Sequence, residues 1–261
     1  MAVIDKHTLG SFCWPELATS DSKAAKAFYS NLFGWTPDDM PMNGGVYTML
    51  KLEGRELGAL HDMAPEQRTQ GIPPNWLVYV AVESVDRTAD LAGQLGGGTL
   101  AGPLDVFDAG RMAVLRDPQG AALGVWQAKN HIGARIGGVA GTLTWSELAT
   151  TDAAAARTFY AGLFGWGDKI GQTGPLEYTE WINLGQPVGG MLQMTEEWHG
   201  APPHWMPYFL VGDCDASAAK ATELGGRTFV PPTDIPNVGR FGMLADPQGA
   251  MFSIIRLTMQ R

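Results

Sequence analysis

Two glutamates stand at matching places in this chain of 261 residues, each two positions after a tryptophan: Trp14-Pro15-Glu16 and Trp145-Ser146-Glu147. Residues i and i+2 of an extended strand share a face, so each carboxylate lies beside an indole. A carboxylate drawn partly out of water gains proton affinity unless it is paired, which suits a general base. The indoles of Trp14 and Trp145 suit stacking on a planar ligand. His204 has the side chain whose ordinary pKa lies nearest neutrality, and it is a candidate acid or base. Asn75 holds the matching place in the first half of the chain, and both stand next to tryptophans, Trp76 and Trp205. Arg111 and Arg240 each follow a glycine at the start of an extended stretch and can clamp a carboxylate through two parallel hydrogen bonds. Glu16, Glu147 and His204 are therefore the candidate catalytic residues. Trp14, Trp145, Asn75, Trp76, Trp205, Arg111 and Arg240 are the candidate ligand-binding ones. Each also admits a structural reading: a carboxylate tied to backbone amides or to arginine, an indole in the core, an arginine bracing a sheet. His7, His131 and His199 fall in the terminus, a Gly-rich stretch and a loop, and take no role.

The matching places arise because the chain is written twice. Residues 10–35 and 141–166 agree at 15 of 26 positions, and the agreement continues through "PPNWLVYV" and "PPHWMPYF" to "DPQGA" in each half. Self-similarity at so long an interval decides the architecture. The offset falls from 131 to 129 across the middle loop of the repeat, where insertions and deletions are tolerated. The spacing predicts domains at residues 8–129 and 141–258, joined by the Gly-rich stretch 130–140.

Within each copy a strand around Trp14 to Ala18, or Trp145 to Ala149, runs into Asp21 or Asp152, which read as helix N-caps. Ala25, Phe28, Tyr29 and Leu32 follow at helical spacing, as do Ala156, Phe159, Tyr160 and Leu163, with Gly34 and Gly165 as stops. Strands are expected at "GVYTML", "ELGALHDM" and "WLVYVAV", then a helix from Asp86 or Asp215 to "LGG". Three more strands follow, the last two joined by the tight turn "DPQG". The pattern reads approximately βαβββαβββ, with two half-units in every copy.

Composition narrows the class. With 45% hydrophobic and 17% charged residues the chain is ordinary for a globular protein. A net charge of −9 and the lack of a Lys/Arg cluster disfavour nucleic acid and anionic membranes, leaving a small molecule as the expected partner. Two cysteines at unmatched positions and no leader-like or membrane-spanning apolar run fit a reducing cytoplasm. No nucleophile elbow, P-loop, dinucleotide fingerprint or paired CxxC is present.

The succession strand, Asp, helix with "FYSNLFGW" or "FYAGLFGW", then "LGG", then "GR" and "DPQGA", resembles the glyoxalase, bleomycin-resistance and extradiol-dioxygenase superfamily, also called vicinal oxygen chelate. That resemblance implies an α+β fold of two tandem domains, each of paired βαβββ half-units forming a curved sheet around a cleft. It also implies that one polypeptide builds what single-domain relatives build by dimerising, so that the protein is a monomer or a homodimer. Metal-using relatives carry ligands at positions that correspond to Trp14, Leu77 and Gly124 in the first copy and to Trp145, Met206 and Ser253 in the second. A further ligand falls within "GALHD" or "GGMLQ", where His61 is the one good donor.

A catalytic divalent site needs about three protein donors and an open position. The expectation is thus a metal-free and cofactor-free protein that binds an aromatic or amphipathic molecule in Trp-lined clefts, for sequestration or for lyase- or isomerase-like acid-base chemistry. Two alternatives stay open. One is a metal-dependent glyoxalase or dioxygenase with unusual ligands such as His61, Glu16 or His204; the other is a non-catalytic structural or regulatory module.

Overall fold

The computed structural model describes residues 2–42, 45–173, 176–198 and 200–258, so that His199 lies outside the described residues. The first half of the chain runs β1 (Ala2–Val3), β2 (Phe12–Thr19), α1 (Ser22–Phe33), β3 (Thr36–Met42), β4 (Gly45–Leu52), β5 (Arg55–Asp62), α2 (Pro65–Thr69) and β6 (Asn75–Ala81). It continues with α3 (Val85–Gln94), β7 (Gly98–Val106), β8 (Gly110–Arg116), β9 (Ala122–Ala128) and β10 (Ile136–Gly137). The second half repeats this as β11 (Leu143–Thr150), α4 (Ala153–Phe164), β12 (Gly167–Thr173), β13 (Leu176–Asn183) and β14 (Gln186–Gln193). A 3-10 turn (Glu196–Trp198), β15 (His204–Leu210), α5 (Cys214–Glu223), β16 (Arg227–Ile235), β17 (Gly239–Ala245) and β18 (Met251–Leu257) complete it.

Each half makes one sheet of eight strands, ordered β3-β4-β5-β2-β6-β9-β8-β7 and β12-β13-β14-β11-β15-β18-β17-β16. The strand bearing Trp14 and Glu16 lies near the middle of its sheet, parallel to β5 and antiparallel to β6, where the two half-units meet. The second helix of each half starts at Val85 and Cys214, one residue before the expected aspartates, capped by Ser84 and Asp213. Asp21 and Asp152 cap α1 and α4 as their spacing predicts, accepting from the amides of Ala24 and Ala155. Gly34 and Gly165 end those helices in the left-handed region, at φ 75 and 71, where other side chains are strained.

One strand per half departs from the expected pattern. β3 reads "TPDDMPM", is exposed throughout and pairs only with β4, as an edge strand that tolerates proline. With no buried face it leaves no alternation to read, and β12 escapes for the same reason. Each half is therefore βαβββ repeated, with eight strands where the periodicity shows seven. The stretch 130–140 is also no loose tether. Its Ala134 and Arg135 amides bond the carbonyls of Cys13 and Glu56, and β10 pairs with β1.

The helix-bearing faces of the two sheets pack on one another, and they do so crosswise. One core joins α3, Val78, Leu115 and Val125 of the first half to α4, Trp166, Trp181 and Trp205 of the second. The other joins α1, Trp35, Leu57 and Leu60 to α5, Phe209, Phe252 and Ile254. Tyr160 reaches from α4 to donate to Asp117 Oδ2 at 3.1 Å while accepting from Trp205 Nε1 at 2.9 Å. Tyr29 repeats this with Asp246 at 3.0 Å and Trp76 at 3.0 Å. These aspartates belong to the "DPQG" turns, whose amides at Gln119 and Ala121, or Gln248 and Ala250, bond their other oxygen. The close approach also explains the "LGG" pairs, since a Cβ at Gly97 would stand 2.8 Å from the Phe159 ring and one at Gly226 3.1 Å from that of Phe28.

Removing the Tyr160 hydroxyl strands both a buried carboxylate oxygen and a buried indole N–H. Unsatisfied buried groups cost about 1–3 kcal/mol. Tyr160→Phe and Tyr29→Phe are expected to lower unfolding free energy by that amount each in urea titrations, with both sheets still melting in one transition. Two separated transitions in the wild type would show that the crosswise cores do not couple the halves.

Candidate functional site

The faces of the two sheets turned away from these cores carry the candidate glutamates. Strand parity puts Trp14, Glu16 and Ala18 of β2 on that face, and cross-strand pairing adds Ala59 and His61 of β5, Tyr47 of β4 and Leu77 and Tyr79 of β6. The second sheet presents Trp145, Glu147 and Ala149 with Gly190, Leu192, Tyr178, Met206 and Tyr208 at the same registers. Opposite edges of this sheet, β12 and the turn after β16, line one cavity of about 290 Å³ together with Tyr178, so the sheet curls round on itself.

Each glutamate is gripped by two phenols. Tyr47 donates to Glu16 Oε2 at 2.6 Å and Tyr79 to Oε1 at 3.1 Å. Tyr178 and Tyr208 donate to the two oxygens of Glu147, both at 2.7 Å. Trp145 extends the second set by donating from Nε1 to the Tyr178 hydroxyl at 2.9 Å. Glycine makes room for this: a Cβ at Gly190 would overlap the Tyr178 hydroxyl, and one at Gly124 would overlap the Tyr79 ring. Burial and the adjacent carboxylate push all four phenols well above their ordinary range, so they act as neutral donors.

The two sites differ in one residue with large electrostatic effect. His61 Nε2 lies 3.5 Å from Glu16 Oε1, its Nδ1 bonds the Asp62 carbonyl at 3.0 Å, and its ring stacks on Tyr47 with centroids 6.1 Å apart at 13°. Leu192 holds this register in the second sheet. Burial opposes charge on both members of the first pair, but their mutual attraction and hydrogen bonding win: Glu16 is held below the usual carboxylate range and His61 above the usual imidazole one. Glu147 meets the same burial with only Tyr208 and Tyr178 to offset it, and it is pushed upward. Among the described residues no Lys, Arg or His forms an ion pair with Glu147, which leaves its charge unanswered.

The other sequence candidates are dispersed. Trp76 and Trp205 are one residue out of phase with the site face and lie in the crosswise cores, bonded to Tyr29 and Tyr160. Arg111 brackets Asp86 at 2.8 Å and reaches Asp105 at 3.4 Å, while Arg240 brackets Asp215 and Asp234, so both brace strands to helix starts and neither faces the site. Asn75 and His204 stand at the strand ends opposite Ala18 and Ala149, turned to the carbonyls of Pro73 and Pro202. Trp14 keeps to the site face but is buried with the Gly-rich stretch beneath it, His131 lying edge-on at 4.8 Å. His61 and Glu16 meet, whereas His204 belongs to the other sheet. The four tyrosines were not among the sequence candidates, although Tyr47 and Tyr178 repeat at the interval of 131 and Tyr79 and Tyr208 at 129.

A family-type divalent metal does not fit these residues. Both oxygens of each glutamate already accept phenol protons, the first site adds one imidazole and the second none, and three donors are needed. Among the described residues no group of three or more His, Cys, Asp or Glu could hold an ion.

Comparison with known proteins places this arrangement. The model of the glyoxalase/bleomycin resistance protein/dioxygenase superfamily matches residues 7–125, and that of a glyoxalase-like domain matches residues 145–255. The chain is 42% identical over 259 residues to the Mycobacterium tuberculosis protein named "Putative glyoxylase CFP32", covering 98% of each. It is 36% identical to the anthracycline biosynthesis protein DnrV of Streptomyces peucetius, covering 95% of this chain and 94% of that one. Among solved structures, the Mn(II)-bound glyoxalase from Novosphingobium aromaticivorans superposes with a TM-score of 0.67 at 15% identity, over 95% of this chain and 82% of that one. The 2,3-dioxygenase LapB from Pseudomonas sp. KL28 gives 0.66 at 11%, over 96% and 93%. At such identities the superpositions speak for the fold alone. With both halves matched by family models and a relative at 42% identity along the whole length, the chain belongs to the glyoxalase/bleomycin resistance protein/dioxygenase superfamily.

Proposed function

We propose that the protein binds a small aromatic or amphipathic molecule on the concave face of each sheet, without a family-type metal, and uses the Tyr–Glu–Tyr groups to orient it or to move a proton. The observation that carries this reading is the repeated placement of one half-buried carboxylate between two neutral phenols, Glu16 in one sheet and Glu147 in the other. A carboxylate in such a place is costly to keep, and stability alone is served as well by an apolar residue. In the first site His61 favours the charged form of Glu16 and weakens it as a base, which suits orienting a ligand. In the second site burial raises the proton affinity of Glu147, which suits a general base in lyase- or isomerase-like chemistry.

Relatives named for glyoxylase and anthracycline biosynthesis support work on small organic molecules over a structural module. Sequestration without turnover is the second reading, favoured by the lowered proton affinity of Glu16. A cytoplasmic monomer or homodimer is part of the proposal, supported by two unpaired, buried cysteines and by the internal pairing of the sheets. No helix among the described residues is long and apolar enough to cross a membrane.

Native mass spectrometry of the purified protein identifies the molecule carried with it. Glu16→Gln and Glu147→Gln are then expected to weaken its binding about tenfold or more, or to abolish turnover, with melting temperature little changed. Lost melting temperature with unchanged affinity in both variants overturns the reading. Chelation should leave binding and activity intact, and a stoichiometric divalent ion required for either result speaks for the metal alternative.

The Glu16–His61 pair also predicts a pH signature. His61, raised above 6.5, contributes stability that is present at low pH and lost as pH rises through its folded value; Glu16, lowered below 4.5, contributes stability lost as pH falls through its own. His61→Leu should therefore destabilise most between those two titrations, by on the order of 1 kcal/mol, and least in alkali. A pH-independent difference between the two proteins in chemical denaturation excludes the ion pair.

A further inference from the structure

The first site shows what the second lacks. Both hold a glutamate between two phenols, but in the first an imidazole from the chain itself, His61, lies 3.5 Å from the Glu16 carboxylate and parallel to the Tyr47 ring. The second keeps the carboxylate, both phenols and the tryptophan, and replaces that imidazole with the aliphatic, half-buried Leu192. Cavity space of about 290 Å³ is lined by Tyr178, the phenol that donates to Glu147, and among the described residues the one cation on its lining, Lys169, is already paired with Glu180 at 2.9 Å. From this difference between pseudo-equivalent sites, we infer that the second site recognises an organic cation, a protonated amine or amidine on an aromatic or aliphatic body, whose charged end answers Glu147 as His61 answers Glu16.

Aromatic rings around a carboxylate are well suited to such a group. A desolvated ammonium gains from the faces of Tyr and Trp as well as from the carboxylate, whereas a neutral isostere gains from neither charge. The net charge of −9 favours the approach of a cation over that of an anion. This inference rests on the reading that the second concave face binds a small molecule, and it adds the chemical class of that molecule.

Benzylamine, cationic at neutral pH, and benzyl alcohol, its neutral counterpart, separate the possibilities in calorimetric or NMR titrations of the full chain. Wild type is expected to bind benzylamine at one site, at least about tenfold more tightly than benzyl alcohol. Glu147→Gln should lose that preference. Leu192→His, which supplies an internal imidazole, should weaken benzylamine by a similar factor while keeping the wild-type fold by circular dichroism. In the other sheet, His61→Gly should open a new site for imidazole. Benzyl alcohol bound as tightly as benzylamine, with both dependent on Glu147, overturns the cation assignment and leaves the small-molecule reading standing. Failure of wild type to bind either probe overturns the assignment together with the second site's share of that reading. Affinity for benzylamine within about twofold of wild type in both Glu147→Gln and Leu192→His also overturns it.

Discussion

The crosswise contact of Tyr29 with Asp246 and of Tyr160 with Asp117 is the constraint on which the rest of the structure depends. Each hydroxyl is buried between a carboxylate that needs a donor and an indole that needs an acceptor, so neither sheet satisfies its own polar groups without the other. The two "LGG" turns and the tryptophans Trp35 and Trp166, which donate to the carbonyls of Gly141 and Gly10, extend the same reciprocity to the backbone. Once the helix-bearing faces are committed to each other, the opposite faces are left to meet solvent. Duplication within one chain thus settles two questions together: what covers each sheet, and which side of it stays open.

On those faces, the governing quantity is the cost of a half-buried carboxylate. Two neutral phenols lower that cost without cancelling the charge, because a hydroxyl donor stabilises the anion while leaving the net charge of the group in place. The next neighbour then shifts the balance. Burial raises the proton affinity of both glutamates; His61 more than offsets this for Glu16, while Leu192 at the same register offers Glu147 no opposite charge. At Gly124, which the family resemblance aligns with a metal-ligand position, the Tyr79 ring fills the space a side chain would take.

Much of this was legible in the amino-acid sequence, and the parts that were not share a physical cause. The repeat, the helix caps at Asp21 and Asp152 and the pairing of Trp with Glu on one strand face all depend on local spacing, which the sequence displays directly. β3 and β12 were hidden because edge strands exposed on all sides carry no alternation. Trp76 and Trp205 stand next to site-face positions in sequence but point the other way, because neighbours along a strand lie on opposite faces and these two are one residue out of phase with Leu77 and Met206. Arg111 and Arg240 found carboxylates at the starts of helices from the same half, a contact that depends on sheet-to-helix distance and has no sequence spacing of its own. The four tyrosines come from strands far apart in sequence and converge only through register, so that their repeat intervals were visible while their common target was not.

The divergence of the two sites follows from how the chain is held together. Residues such as Tyr29, Tyr160 and the turn aspartates serve both sheets at once, and a change in either copy disturbs a core shared with the other. The concave faces are not shared: Glu16 and its partners touch nothing that Glu147 requires. Selection on stability therefore acts on the two copies jointly at the crosswise interface and separately at the sites, where exchanging an imidazole for a leucine alters charge but no interdomain contact. A duplicated chain of this design keeps its architecture symmetric while its two open faces move apart in chemical character, and the contrast between His61 and Leu192 is what that separation looks like at the level of one side chain.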